Sequence, residues 1–220
     1  YIFLAAAIDG GGAEGERVFG LLCETARESS CENGGCDHVI HALLAASRPD
    51  GWECIERLLA SSQDEEMRWP ILLNANEAHP EAFRRLLRII IERGLAQFSS
   101  VARMVEVWLG LNWETVSTAT VNRTVEQLLG HLDDPATRTN ALGGGDAWQA
   151  FLALWALAFD DASAAAAEAQ ALLTGGDAAH RFIAARLMSD LQIPESPRAL
   201  LDALNDDDLR VAAVAVDHFG

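Results

Sequence analysis

The sequence predicts an all-α chain built as a stack of helical hairpins, an α-solenoid, and three observations carry that expectation. Ala and Leu dominate the 220 residues and β-branched residues are sparse, so intrinsic propensity favours helix. Apolar side chains recur at helical spacing along most of the chain. Related segments also return about every 30 residues, the mark of stacked helical hairpins. Gly145-Asp146-Ala147-Trp148-Gln149-Ala150-Phe151-Leu152-Ala153 matches Gly176-Asp177-Ala178-Ala179-His180-Arg181-Phe182-Ile183-Ala184 at five positions, shifted by 31. Asp177, Arg181 and Ala184 find counterparts at Asp206, Arg210 and Ala213, shifted by 29.

Taken in order, Ala13 to Glu28 places Val18, Phe19, Leu22 and Ala26 on one helical face. Ser29 to Gly35, with Asn-Gly-Gly, reads as a loop. Val39, Ile40, Leu43 and Leu44 resume the helical spacing, and Trp52, Ile55, Leu58 and Leu59 continue it past Pro49, which makes a hairpin jointed at Ser47-Arg48-Pro49. Pro49-Asp50-Gly51-Trp52 returns as Pro80-Glu81-Ala82-Phe83, again shifted by 31. Pro in a first helical turn lacks only an N–H that has no partner there, and an acid beside it suits the positive helix end. Glu66 to Ala75 is expected as a further helix, and Gly94 as the stop of the helix from Pro80. Val101–Leu111 and Trp113–Leu132 form the next pair, divided near Asn112, and Asp134-Pro135 reads as an N-cap followed by Pro. Gly143-Gly144-Gly145 is either a subdomain joint or an inter-repeat turn, within one domain spanning residues 1–220. Trp148–Phe159 is apolar nearly all round, as the middle of a stack requires. Ala162–Leu173 carries few bulky side chains, Asp177–Gln192 follows, and Ser196-Pro197 caps a short helix with Leu200, Leu201 and Leu204.

The 16 basic residues, all Arg, against 33 acidic ones give a net charge of −17. Such a surface repels phosphate backbones and anionic bilayers, so neither nucleic acid nor membrane is an expected partner. The lack of Lys removes P-loop, Schiff-base and Ser-Lys chemistry. No apolar run reaches the roughly 18 residues of a membrane span, and Tyr1–Ile8 has no signal-peptide flank. The expectation is a cytoplasmic chain of bacterial origin, cut from a longer protein.

Cys31-x4-Cys36-x-His38-x2-His41 supplies two thiols and two imidazoles, enough for tetrahedral zinc, at a spacing unlike the common finger arrangements. The expectation is no metal and no cofactor, with Cys23 and Cys54 as small core residues. Asp133-Asp134, Asp160-Asp161 and Asp206-Asp207-Asp208 lie at turns, where carboxylates cap helices. Arg84, Arg85 and Arg88 are expected to pair with Glu81 and Glu92 on their own helix. No esterase, zinc-protease or dinucleotide motif occurs, so the catalytic set is empty.

With about one Asp and one Arg per first helix, the repeats resemble the HEAT-repeat (armadillo-like) family in its short variety. Ala78-His79-Pro80-Glu81-Ala82-Phe83-Arg84-Arg85-Leu86-Leu87-Arg88, Val107-Trp108-Leu109-Gly110-Leu111 and Leu154-Trp155-Ala156-Leu157-Ala158-Phe159 also resemble a helical region of large bacterial proteins labelled molybdate-metabolism-regulator-like. The resemblance implies a non-catalytic protein-interaction scaffold. A different class, the bilin lyases with similar short repeats, is the alternative, although no residue here matches their function. In a HEAT-like stack the second helices line the concave side. That implies a polar stripe of Glu114, Thr118, Asn122 and Glu126, continued by Glu168 and Asp202, for a protein or peptide of basic or mixed charge. It also implies that Asp177, Arg181, Asp206 and Arg210 form a ladder, with Arg210 reaching Asp177 or a turn carbonyl.

Overall fold

The computed structural model describes residues 2–28, 35–61, 68, 71–72, 75, 78–102, 105, 117–191 and 196–220. Among them every regular element is helical and no strand occurs. The chain divides into two compact units, Tyr1–Glu126 and Gln127–Gly220.

The first unit begins with α1 (Ile2–Asp9), α2 (Gly12–Glu28), α3 (Gly35–Ala45), α4 (Pro49–Ser61) and α5 (Pro80–Arg93). Each helix packs on the next, and α1 also meets α3 while α2 meets α4. Their apolar faces meet in a core of Ile8, Ile40, Leu43, Leu44, Ile55, Leu59, Phe83, Leu86 and Leu87, all fully buried. Close approach of α1 and α2 depends on Gly15, where a Cβ would come within 2.9 Å of the Ala7 carbonyl oxygen. Both prolines expected to open helices stand at the first position of α4 and α5. His79 caps α5 by accepting the Glu81 N–H at 3.3 Å, and its ring stacks on Trp52 with 4.8 Å between centroids. Gly94 closes α5 in the left-handed conformation, with φ of 66° and its N–H turned back to the Ile90 and Ile91 carbonyls. A substituted Cβ is strained at such a φ, which is why glycine stops the helix there. A 3-10 turn, Ala96–Phe98, follows.

Helix α6 (Thr118–Asp133) carries the division between the units. The second unit continues with α7 (Pro135–Leu142), α8 (Ala147–Asp160), α9 (Ala162–Gly175), α10 (Ala178–Leu191), α11 (Ser196–Ala203) and α12 (Leu209–Phe219). Successive helices pack together, and α8 meets α10, α9 meets α11, and α10 meets α12. Helix α8 is the centre, with Ala150, Phe151, Leu152, Ala153, Leu154 and Ala156 buried, as its nearly all-round apolar sequence requires. Aspartates set the starts. Asp134 caps α7, Asp146 caps α8, Asp161 caps α9 and Asp208 caps α12, while the Asp177 carboxylate accepts the His180 N–H at the start of α10. Each such cap satisfies an N–H that has no partner inside the helix.

Several expectations need correction. The N-terminal apolar run is itself a helix, α1, where the sequence reading placed no element. Of the helix expected over Trp113–Leu132, residues 113–116 lie outside the described residues, and α6 begins at Thr118, after Ser117, which stands outside it as a cap. The Ser117 hydroxyl accepts the Thr120 N–H at 3.2 Å, a bond that competes with continuation of the helix. The expected helix Glu66–Ala75 and Val101–Leu111 lie largely outside the described residues, although Ile71, Leu72, Val101, Ala102 and Val105 are helical and buried.

The repeat register also changes. The aspartates that start α8, α10 and α12 are Asp146, Asp177 and Asp208, each shifted by 31 from the last, so the counterpart of Asp177 is Asp208 and not Asp206. Arg181 and Arg210 are therefore not equivalent, and the ladder forms only in part. Arg181 grips Asp206 through Nε at 2.7 Å and Nη2 at 2.9 Å and also donates to the Gly176 carbonyl. Arg210 does not reach Asp177. Standing two residues after its cap, it folds back on Asp208 at 2.7 Å and lies over the Phe182 ring. These guanidiniums hold both carboxyls below the usual range, that of Asp208 at about 2.

One buried titratable group makes the second unit pH-sensitive. His131 is buried on α6, and its Nε2 lies 3.2 Å from the Gln149 amide oxygen on α8. Burial disfavours the imidazolium and the nearby Arg138 adds to the effect, so the pKa falls below its ordinary value despite the opposing bond to Gln149. Above the ordinary pKa of about 6.5 the ring is neutral folded and unfolded; below it the unfolded chain takes the proton first and stability is lost. The urea midpoint is expected to fall between about pH 7.5 and about pH 5; the carboxyls of Asp206 and Asp208 are held below their usual range, and Asp190, raised by burial, acts in the opposite sense. His131→Gln should flatten that fall, and an unchanged fall in the variant would assign it to another group.

Candidate functional site

The second unit holds an open groove between α9 and α11, with a volume of about 660 Å3. Helix α9 supplies Ser163, Ala166, Ala167 and Gln170, α11 supplies Arg198, Ala199 and Asp202, and Met188 of α10 lies between them. The groove has a sequence cause. An alanine-rich helix brings no bulky side chain to fill the space beside its neighbour, so α9 and α11 touch while leaving a channel above Met188. Ala166, Met188 and Ala199 are buried and form an apolar floor.

The polar groups around that floor are free to bind. Arg198 and Asp202 are exposed and stand one helical turn apart on α11, yet no ion pair joins them, and neither side chain bonds elsewhere among the described residues. The cation precedes the anion along the helix, the weaker order for such a pair. The side chains of Ser163 and Gln170 likewise have no hydrogen-bond partner among the described residues, since Gln170 contributes only its backbone carbonyl, to Thr174. The groove thus offers an apolar base, an amide, a hydroxyl and one charge of each sign.

Several arginines elsewhere hold acid partners by contrast. Arg48 pairs with Glu16 and Asp50 over the Phe19 ring. Arg138 of α7 meets Asp160 at the end of α8 at 2.6 Å. Arg85 bonds Glu56 of α4 at 2.8 Å instead of an acid on its own helix, because its position on α5 faces α4. Arg84 does keep the expected partner Glu81, at 3.7 Å. The pairs of Arg48, Arg85 and Arg138 join separate helices and occupy the cations they hold. Within the aspartate runs one residue caps and a neighbour pairs: Asp161 caps while Asp160 binds Arg138, and Asp208 caps while Asp206 binds Arg181.

Of the six residues expected to meet a partner, Asp202 lines the groove, whereas Glu168 is exposed on α9 but is not part of the groove's lining. Thr118, Asn122 and Glu126 lie on α6 in the first unit, and Glu114 lies outside the described residues. The Thr118 hydroxyl donates to Gln97 at 2.8 Å. Asn122 is half-buried with its side-chain oxygen shielded, while Glu126 projects its charge into solvent. The sequence reading missed Ser163, Gln170, Met188 and Arg198. Their one legible signal was polar side chains at 163 and 170, two turns apart on an alanine helix.

For the metal candidates, Cys31 lies outside the described residues, Cys36 is in the first turn of α3, His38 is exposed and His41 is half-buried on the same helix. No group of three or more His, Cys, Asp or Glu gathers among the described residues. Cys23 and Cys54 are the core residues expected of them, buried and free on α2 and α4. Burial first, then the neighbouring Cys54, pushes the Cys23 thiol up to about 12, so it holds almost no thiolate for nucleophilic or redox work. No described helix is long and apolar enough to cross a membrane.

Fold and groove together define an all-helical protein with a shallow, mixed-polarity channel between paired helices. Residues 32–220 match the family model described as "Family of unknown function (DUF5724)", and the chain belongs to that family. No curated protein matches the chain, and no solved structure does.

Proposed function

We propose that this chain is an α-solenoid of HEAT-like hairpins acting as a non-catalytic protein-interaction scaffold, and that its partner is a polypeptide of basic or mixed charge. The observation that carries the reading is the groove between α9 and α11, an apolar floor edged by charges that have no partner among the described residues. Two others support it. Within each unit, helices meet both their nearest and next-nearest neighbours in sequence, as first helices stack on first and second on second in a solenoid. Starts of α8, α10 and α12 recur with a constant shift of 31, a hairpin's length. The net charge of −17 favours a partner bearing cations and speeds their encounter.

The test is affinity capture with wild type and Asp202→Arg as paired baits, followed by association kinetics of the captured protein across a salt series. Wild type should retain a partner that the variant loses, with association slowing as salt rises. Equal retention by both baits, or rates indifferent to salt and to the reversal, would overturn the proposal.

A further inference from the structure

We infer that the groove between α9 and α11 recognises an extended peptide segment carrying an acidic and a basic side chain two residues apart, an inference that rests on the interaction reading above. The argument begins with spacing. Arg198 and Asp202 are four residues apart on α11, which at about 1.5 Å per residue separates them by about 6 Å along the helix. In an extended chain, side chains two residues apart project from one face at about 6.6 Å. An acid and a base at those positions therefore meet Arg198 and Asp202 together. The intervening residue points away, which leaves its identity free.

The occupant's backbone follows from the other edge. Gln170 on α9 offers both an N–H donor and a carbonyl acceptor without a partner among the described residues, and Ser163 offers a hydroxyl seven residues earlier on the same helix. An extended peptide presents N–H and C=O groups that such side chains can pair, whereas a helix has already paired its own. The floor of Ala166, Ala167, Met188 and Ala199 is shallow, which admits a backbone lying close and small or flexible side chains.

The experiment uses the full chain and four capped seven-residue peptides of Ala and Ser. Two carry Glu and Arg two apart, one in each order, since the peptide can run either way. The others carry Glu-x-Glu and Arg-x-Arg. Binding is read by perturbation of protein resonances during titration to millimolar peptide. One of the mixed peptides should bind wild type about tenfold more tightly than either like-charged peptide, a difference of the size a charge reversal produces. Asp202→Arg should transfer the preference to Glu-x-Glu, and Ala167→Trp, an exposed position at the floor, should abolish binding while leaving the circular dichroism unchanged. Equal binding of mixed and like-charged peptides to wild type overturns the inference, as does a mixed peptide insensitive to Ala167→Trp. If no peptide binds, the inference also fails, and the capture with wild-type and Asp202→Arg baits decides separately whether the groove takes a protein at all.

Discussion

Phe151→Ala is expected to destabilise the second unit by about 3–5 kcal/mol, the range for deleting a large aromatic from a packed core. Phe151 is 1% exposed on α8, the helix that packs against α7, α9 and α10. Its ring lies 5.4 Å from that of Trp148 and 6.2 Å from that of Trp155, so truncation removes two aromatic contacts as well as buried area. Helices held on several sides cannot all close on one void, which keeps the cost toward the upper end. Urea unfolding followed by far-ultraviolet circular dichroism measures it, with Val216→Ala on the exposed side of α12 as a control. A loss for Phe151→Ala no larger than that of the control would mean that α8 is not the centre of the unit.

A second large effect separates two glycines that the repeat makes equivalent. Gly145 and Gly176 each precede the aspartate that starts a helix, and the same shift of 31 leads on to Asp207 as the next counterpart. The position itself thus accepts a side chain. At Gly176, however, a Cβ would stand 2.6 Å from the Leu172 carbonyl oxygen and 2.8 Å from the His180 Cβ, whereas at Gly145 it meets nothing within 4 Å. Gly176→Ala must shift backbone at the junction of α9 and α10 and is expected to cost about 1–3 kcal/mol, the usual penalty of overpacking. Gly145→Ala should stay within about 0.5 kcal/mol, as substitutions away from packed features do. The two variants measured side by side in the same urea experiment decide it, and equal stabilities would show that the turn after α9 can relax. The backbone at Gly176 has φ of −78°, so the effect is contact and not conformation.

Local rules read well from the sequence where one residue governs the outcome. Pro80 opened α5 and Gly94 closed it, and Asp134 capped α7, because each acts on atoms within a few positions of itself. Ser117 and α1 were missed for a related reason. A serine amid threonines looks like helix interior until its hydroxyl is seen bonded to Thr120, and a short apolar run was weighed only as a targeting segment. The groove was half legible: Asp202 was named from its place on a second helix, while Arg198, four residues earlier on the same helix, was not named.

The all-helical class, most helix limits and the apolar face of each helix were set by the sequence alone, since propensity, capping and periodicity operate over one to four turns. Which aspartate matches which was left to the tertiary structure. The shift of 29 aligned residue types, but the shift of 31 that relates Asp146, Asp177 and Asp208 aligns helix starts, and only the latter fixes what stacks on what. Hence Arg181 ties to Asp206 while Arg210 turns back on Asp208. The unpaired charges beside the alanine floor, and the crowding that singles out Gly176, were likewise decided by how neighbouring helices pack, because both depend on atoms brought together from separate helices or from across a turn.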